Sequence, residues 1–313
     1  MAKIFIDGSE GTTGLRINER FAGRDDIELL KIDPELRKDP AEIKKLINQS
    51  DVTFLCLPDA AAIEAADMVE NEKTVIIDAS TAHRTLPDWA YGFPELSKEH
   101  REKIRNSKKI AVPGCYASGF IALAYPLVKK GIMPKDYPVS VFAASGYSGG
   151  GKKLIASYEE EGRDAKFDSA RMYAWGQTHK HLKEMKAITG LEREPLFSPF
   201  TTNYHSGMLV QVPIFTDLLS KKMTPGELRD FFASYYEGEK FIKVMPLGSA
   251  EEAGALFSDG MAGNDGMEIY VAGNDERIML ATRFDNLGKG ASGAAVQCLN
   301  IVLSCDEAKG LNL

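Results

Sequence analysis

Lys3-Ile4-Phe5-Ile6-Asp7-Gly8-Ser9-Glu10-Gly11-Thr12-Thr13-Gly14 decides the fold of this 313-residue chain. A short apolar strand runs into a G-x-x-G-x-x-G turn, and residues 12–22 read as the helix behind it. Glycines let such a turn fold tightly and bring backbone close to a phosphate. The helix start then offers unpaired N–H groups to a pyrophosphate. The glycine pattern alone is weak; a strand before it and a helix after it make it a dinucleotide fingerprint. Gly8, Gly11, Thr12, Thr13 and Gly14 are the candidate cradle.

Outward from that turn, strands and helices alternate. Residues 27–32, 52–57 and 74–78 read as strands, and 41–48 and 59–70 as helices. Short apolar runs between helices predict a parallel sheet covered on both faces. After Cys115 the pattern changes. Residues 120–130 continue a helix, and 139–144 form a strand leading into a glycine-rich loop. Residues 208–214, 268–272 and 277–284 alternate as strands of a mostly antiparallel sheet. Thr224-Pro225-Gly226-Glu227 carries the cap, proline and N3 glutamate of a helix start. Residues 291–304 read as a last helix. The expected fold class is α/β. A Rossmann-type parallel-sheet nucleotide domain (1–117 with 287–313) is joined to an α+β catalytic and oligomerisation domain (118–286).

Hydrophobic residues at 44% and charged residues at 27% are those of an ordinary globular protein. The net charge of -7 argues against a nucleic-acid or anionic-membrane partner. No apolar run is long enough to span a bilayer, and the first residues lack a signal-peptide core. The expectation is a cytoplasmic protein. Cys56, Cys115, Cys298 and Cys305 show no C-x-x-C pair, which suits free thiols in a reducing compartment. Cys56, inside a strand, reads as a small buried apolar residue. So do Cys298 and Cys305, seven apart on one face of the last helix.

Cys115 differs. Pro113-Gly114 sets it at the mouth of a helix, with Tyr116 and Ser118 beside it. A free thiol has a pKa of about 8.5, and lowering it by two units takes about 2.7 kcal/mol. A helix N-terminus supplies only about 0.3–1 kcal/mol, so a second perturber, most plausibly a histidine, is needed. His179 and His181 flank Lys180 with Glu184 beyond, and His205 is their competitor; His83 and His100 read as structural or exposed. No third ligand stands at metal spacing beside the histidine pair. Asp33 ends the second strand where an acid would bind the ribose 2′-hydroxyl of NAD, whereas Arg37 and Lys38 would suit a 2′-phosphate. Ser145, Gly146, Ser148, Gly149 and Lys152, in the loop 145–152, suit an anion. Arg84 suits a carboxylate. Further cofactor contacts are expected at Pro58, Ser80 and Asn286.

Several blocks in one order resemble the short-form N-acetyl-gamma-glutamyl-phosphate reductase family. They are Asp78-Ala79-Ser80-Thr81-Ala82-His83-Arg84, Tyr91-Gly92-Phe93-Pro94-Glu95-Leu96, Pro113-Gly114-Cys115-Tyr116, Ser145-Gly146-Tyr147-Ser148-Gly149-Gly150-Gly151-Lys152, His179-Lys180-His181 and Asp285-Asn286-Leu287-Gly288-Lys289-Gly290-Ala291-Ser292-Gly293. The resemblance implies NADPH-dependent reduction of an acyl phosphate to a semialdehyde, a step of arginine biosynthesis. It implies a fold like that of aspartate-semialdehyde and glyceraldehyde-3-phosphate dehydrogenases, with sheet-mediated subunit contacts in a homo-oligomer, dimer or tetramer. It favours the 179/181 pair over His205; within the pair, Glu184 beyond it puts His181 ahead of His179. Related acyl phosphates, of aspartyl or aminoadipyl type, and a non-catalytic dinucleotide sensor are the competing readings.

Overall fold

The computed structural model describes residues 1–313, which divide into two compact units. Residues 1–113 and 291–311 form the first unit, and 114–290 with 312–313 the second.

In the first unit the chain alternates β1 (Ala2–Asp7), α1 (Thr12–Arg20), β2 (Ile27–Leu30), α2 (Pro40–Gln49), β3 (Val52–Leu55), α3 (Asp59–Asp67) and β4 (Val75–Asp78). Then come β5 (Ala90–Tyr91), α4 (Lys98–Asn106) and β6 (Lys109–Ala111), two short strands and a helix that the sequence did not signal. The sheet order is β2-β1-β3-β4-β6-β5, with every pairing parallel. Alternation within the strands sends side chains to two cores. Ile4, Ile6, Phe54 and Ile77 pack with Ile17 of α1 and with Ala295 and Leu299 of the C-terminal helix, Gly293–Val302. Phe5, Leu55 and Ile76 pack with Leu46 and Ile47 of α2 and Ala62 of α3.

The glycine turn lies where β1 ends. Gly8 takes φ +80, and a Cβ there would meet the Cys56 carbonyl at 2.3 Å, so only glycine fits. Asp7 is buried beside it, and burial lifts its carboxyl to about 6 against the hydrogen bond to the Gly8 backbone. The folded pKa exceeds the unfolded 3.8, so the folded state binds the proton more tightly. Stability therefore falls as pH rises between about 4 and 6 and stays reduced above it. Asp7→Asn keeps an acceptor and removes the charge. It should gain about 1–3 kcal/mol in urea unfolding at neutral pH and nothing below about pH 4; an equal gain at both would exclude the charge as cause.

The second unit opens with α5 (Cys115–Lys129) and continues through β7 (Ser140–Gly146), α6 (Gly151–Glu159), β8 (Arg171–Met172), α7 (His181–Thr189), β9 (Leu196–Thr202), β10 (Met208–Phe215), α8 (Pro225–Tyr235), β11 (Ile242–Val244), β12 (Met267–Gly273) and β13 (Arg277–Phe284). The sheet runs β11-β12-β13-β10-β7-β9-β8. Its pairings are antiparallel except β11 with β12 and β7 with β9. Thr224 closes the expected capping box with Glu227 at the start of α8. One end differs from expectation. A turn of π-helix, Gly288–Ser292, precedes the C-terminal helix, which stops at Val302. Ser304 then takes φ +55, so Cys305 lies beyond the helix and does not share a face with Cys298.

Candidate active site

Cys115 is the first residue of α5 and is half-buried. Gly114 caps the helix with extended backbone (φ -76, ψ 147) and no side-chain cap. Hydrogen bonds on both sides of Gly114 hold this corner. Ser118 donates its backbone N–H to the Gly114 carbonyl at 2.8 Å, and the Gly114 N–H goes to Glu184 Oε1 at 2.8 Å. Glu184 is 1% exposed and lies on the first turn of α7. A buried carboxylate thus ties α7 to the mouth of α5, a role the sequence left unassigned.

The two histidines meet edge to face, ring centroids 4.6 Å apart. His181, the first residue of α7, is buried. Its backbone N–H donates to His179 Nδ1 at 3.2 Å, which leaves the proton of neutral His179 on Nε2. Tyr116 packs against both rings, and the Tyr173 hydroxyl donates to the Tyr116 oxygen at 3.0 Å. Burial pushes both phenols up, so they stay neutral.

A cavity of about 560 Å³ brings these parts together, a size suited to a small molecule. Cys115, Tyr116, Tyr173 and His179 line it together with Ser145, Gly146, Gly149 and Gly150. His181 and His205 are not on its wall. His205 lies edge-on to Tyr147 at 5.6 Å. The histidine that lines the cavity together with the thiol is therefore His179. Lys152 is off the wall and Lys153 is on it, because the glycine turn continues directly into α6. Arg171, outside every motif, and Lys180, between the two histidines, also line the cavity.

Several of the expected site residues have partners within the protein. Ser148 is buried and accepts from Asn286 Nδ2 at 3.0 Å, while Asn286 Oδ1 accepts from the Gly207 N–H at 2.8 Å. Asn286 uses both ends of its amide to tie the 148 and 207 loops. Arg84 lies in the first unit, with Nε on the Val112 carbonyl at 2.8 Å and Nη2 on the Ala79 carbonyl at 3.1 Å. It holds main chain there. Ser80 donates its hydroxyl to Asp78 at 2.7 Å. Asp78 also receives His83 Nδ1 at 2.6 Å, and Trp89 stacks on that ring, as a structural histidine requires.

The first unit fits a dinucleotide. Gly11 caps α1 without a side chain, so the first N–H groups of the helix remain available to phosphate oxygens. A Cβ at Gly14 would meet the Gly8 carbonyl at 2.5 Å, so glycine is required to close this cradle. Thr12 and Thr13 are the first two residues of α1. Pro58 caps α3, and Asp33, Arg37 and Lys38 are exposed just beyond β2. The Asp33 carboxylate accepts from the Glu35 N–H at 2.9 Å.

Two family models match the chain: "Semialdehyde dehydrogenase, NAD binding domain" over residues 2–105, and "Semialdehyde dehydrogenase, dimerisation domain" over 115–286. The chain is 45% identical to N-acetyl-gamma-glutamyl-phosphate reductase 2 of Nostoc sp., over 99% of each chain. It is also 45% identical to the N-acetyl-gamma-glutamyl-phosphate reductase of Sinorhizobium medicae, over 96% of this chain and 99% of that one. Among solved structures, aspartate semialdehyde dehydrogenase II of Vibrio cholerae superposes with a TM-score of 0.73 at 16% identity, covering 97% of this chain and 98% of that one. That likeness is one of fold. A glycine cradle in one unit, a thiol-bearing cavity in the other, and these relatives along nearly the whole length agree: the chain belongs to the semialdehyde dehydrogenase family, among the N-acetyl-gamma-glutamyl-phosphate reductases.

Proposed function

We propose that this enzyme reduces N-acetyl-gamma-glutamyl phosphate to N-acetylglutamate semialdehyde, releasing phosphate, with NADPH as reductant and Cys115 as nucleophile. The observation that carries this reading is the thiol at the start of α5 lining the same cavity as His179. The Cys115 thiolate attacks the acyl carbon, the C–O bond to phosphate breaks, and a thioester remains on the sulfur. A bound nicotinamide dinucleotide supplies hydride. Reduction of the thioester gives a thiohemiacetal on Cys115. His179 protonates and later deprotonates the oxygen at that carbon, and collapse returns aldehyde and thiolate. The Cys115 N–H, at the mouth of α5, faces the oxyanion that forms at each stage. Ser145, Gly146 and Gly149 receive the departing phosphate.

NADP over NAD rests on Arg37 and Lys38, exposed beyond β2 beside Asp33. The test of the whole reading is a reverse assay at 340 nm with N-acetylglutamate semialdehyde, phosphate and either NADP or NAD. Phosphate-dependent NADPH formation is expected, with kcat/KM higher for NADP than for NAD. A higher kcat/KM on aspartate semialdehyde would overturn the substrate, and a preference for NAD would return the cofactor assignment to Asp33. No helix is long and apolar enough to cross a membrane, and a biosynthetic enzyme of this kind acts in the cytoplasm.

The second sheet offers the surface for self-association. Phe142, Leu196, Phe215 and Met279 are exposed on one face, with the Phe200 ring 4.9 Å from that of Phe142. The register puts all five side chains on that side. An apolar face of this kind marks an interface. Phe142→Glu should lower the molar mass measured by light scattering. An unchanged mass would put the interface elsewhere.

A further inference from the structure

We propose that Arg171, Lys153 and Lys180 form a charge filter that admits an acyl phosphate whose α-amine is blocked and rejects one with a free α-ammonium, Arg171 holding the α-carboxylate. The inference rests on the substrate class given under Proposed function and names what selects it.

The cavity wall carries these three cations together with His179, and no aspartate or glutamate. That is unexpected in a chain of net charge -7. Three other basic side chains of the same unit sit against carboxylates: Arg163 on Asp168 at 2.5 Å, Lys166 on Asp164 at 2.8 Å, Arg283 on Glu268 at 2.7 Å. None of the three cavity cations has such a partner. A cavity of one sign concentrates ligands of the other. A carboxylate and a phosphoryl group are both served by this wall. An ammonium would leave water for a place holding only like charge, with no acid to pair it. An acetyl group on the same nitrogen removes that charge and leaves a neutral amide.

Arg171 is assigned the carboxylate on geometry. Arg171 of β8 and Tyr173 just beyond it both line the cavity, as does Thr201, opposite Arg171 in register. A guanidinium there presents two parallel donors to a carboxylate, which an ammonium does not. Lys153 follows the glycine turn by two residues and stands on the phosphate side. Lys180 lies between the histidines and adds repulsion where a free amine would approach.

The test pairs calorimetry with kinetics on the full chain. N-acetylglutamate and L-glutamate are titrated without cofactor, and the reverse reaction separates KM for semialdehyde from KM for phosphate. Wild type should bind N-acetylglutamate at least about 100-fold more tightly than L-glutamate. Arg171→Ala should weaken N-acetylglutamate binding and raise the semialdehyde KM by about 10- to 100-fold, with phosphate KM little changed. Arg171→Lys should restore part of this. Lys153→Ala should instead raise the phosphate KM. Lys180→Glu should narrow the preference for the acetylated ligand. Arg171 is exposed on a two-residue strand, so an unchanged thermal midpoint separates a lost contact from a lost fold. If Arg171→Ala leaves binding and KM unaltered while wild type turns over the acetylated semialdehyde, the filter is wrong and the function stands. If wild type discriminates between the two ligands as described yet turns over no semialdehyde, the function is wrong and the filter stands.

Discussion

Cys115→Ser is expected to abolish reductive turnover, by a factor on the order of 10⁴ or more, while leaving dinucleotide affinity unchanged. The split follows from the architecture. The cradle at Gly8, Gly11 and Gly14 belongs to the first unit and the thiol to the second. A serine hydroxyl is not ionised near neutral pH, and a helix terminus contributing about 0.3–1 kcal/mol cannot make it so. The other thiols offer no substitute. Cys56 lies among strand ends, and burial pushes its pKa up to about 12. Cys298 is sealed in the core of the first unit against the Gly92 carbonyl. The measurements are NADPH titration by fluorescence, turnover at 340 nm, and intact mass after exposure to acyl phosphate without cofactor. Wild type should gain the acyl mass at Cys115 and the variant should not. An adduct mapped to Cys305, or activity within tenfold of wild type, would end the covalent route through Cys115.

What the sequence disclosed and what it withheld divide along physical lines. Strand-turn-helix order and glycine spacing are local, so the cradle and the parallel sheet were legible from the first residues. Cys115 was legible because Pro113-Gly114 fixes a helix start within three residues. β5, β8 and β11 are two or three residues long and carry no period to read. Their pairing is set by neighbours distant in sequence. The partners of Arg84 and Asn286 were hidden for a related reason: the groups each side chain holds come together only in the fold. Arg171 and Lys153 were missed because a cavity wall gathers residues from β8 and α6 by folding alone. Glu184 was visible one turn past the histidines, but only the Gly114 N–H explains why a carboxylate is buried there.

The histidine pair supplies the second large effect. His179→Asn should lower kcat/KM by about 10²- to 10⁴-fold, the usual worth of a positioned proton donor. His181→Asn should cost less in rate and more in stability. The backbone N–H that fixes His179 Nδ1 belongs to residue 181 whatever its side chain, so the asparagine variant still holds the catalytic tautomer. The ring it removes is buried, and its loss leaves a void beside Tyr116. His205→Ala should run near wild-type rate, its ring being off the cavity and against Tyr147. The pH–rate profile provides the discriminating readout. If His179 moves the proton, the His179→Asn profile loses the limb due to the free enzyme's acid–base group, whereas the His181→Asn profile keeps it. The opposite pattern would move the proton to His181, and with it the point from which the thiohemiacetal oxygen is served: from the open cavity wall to the buried first turn of α7, directly above Glu184.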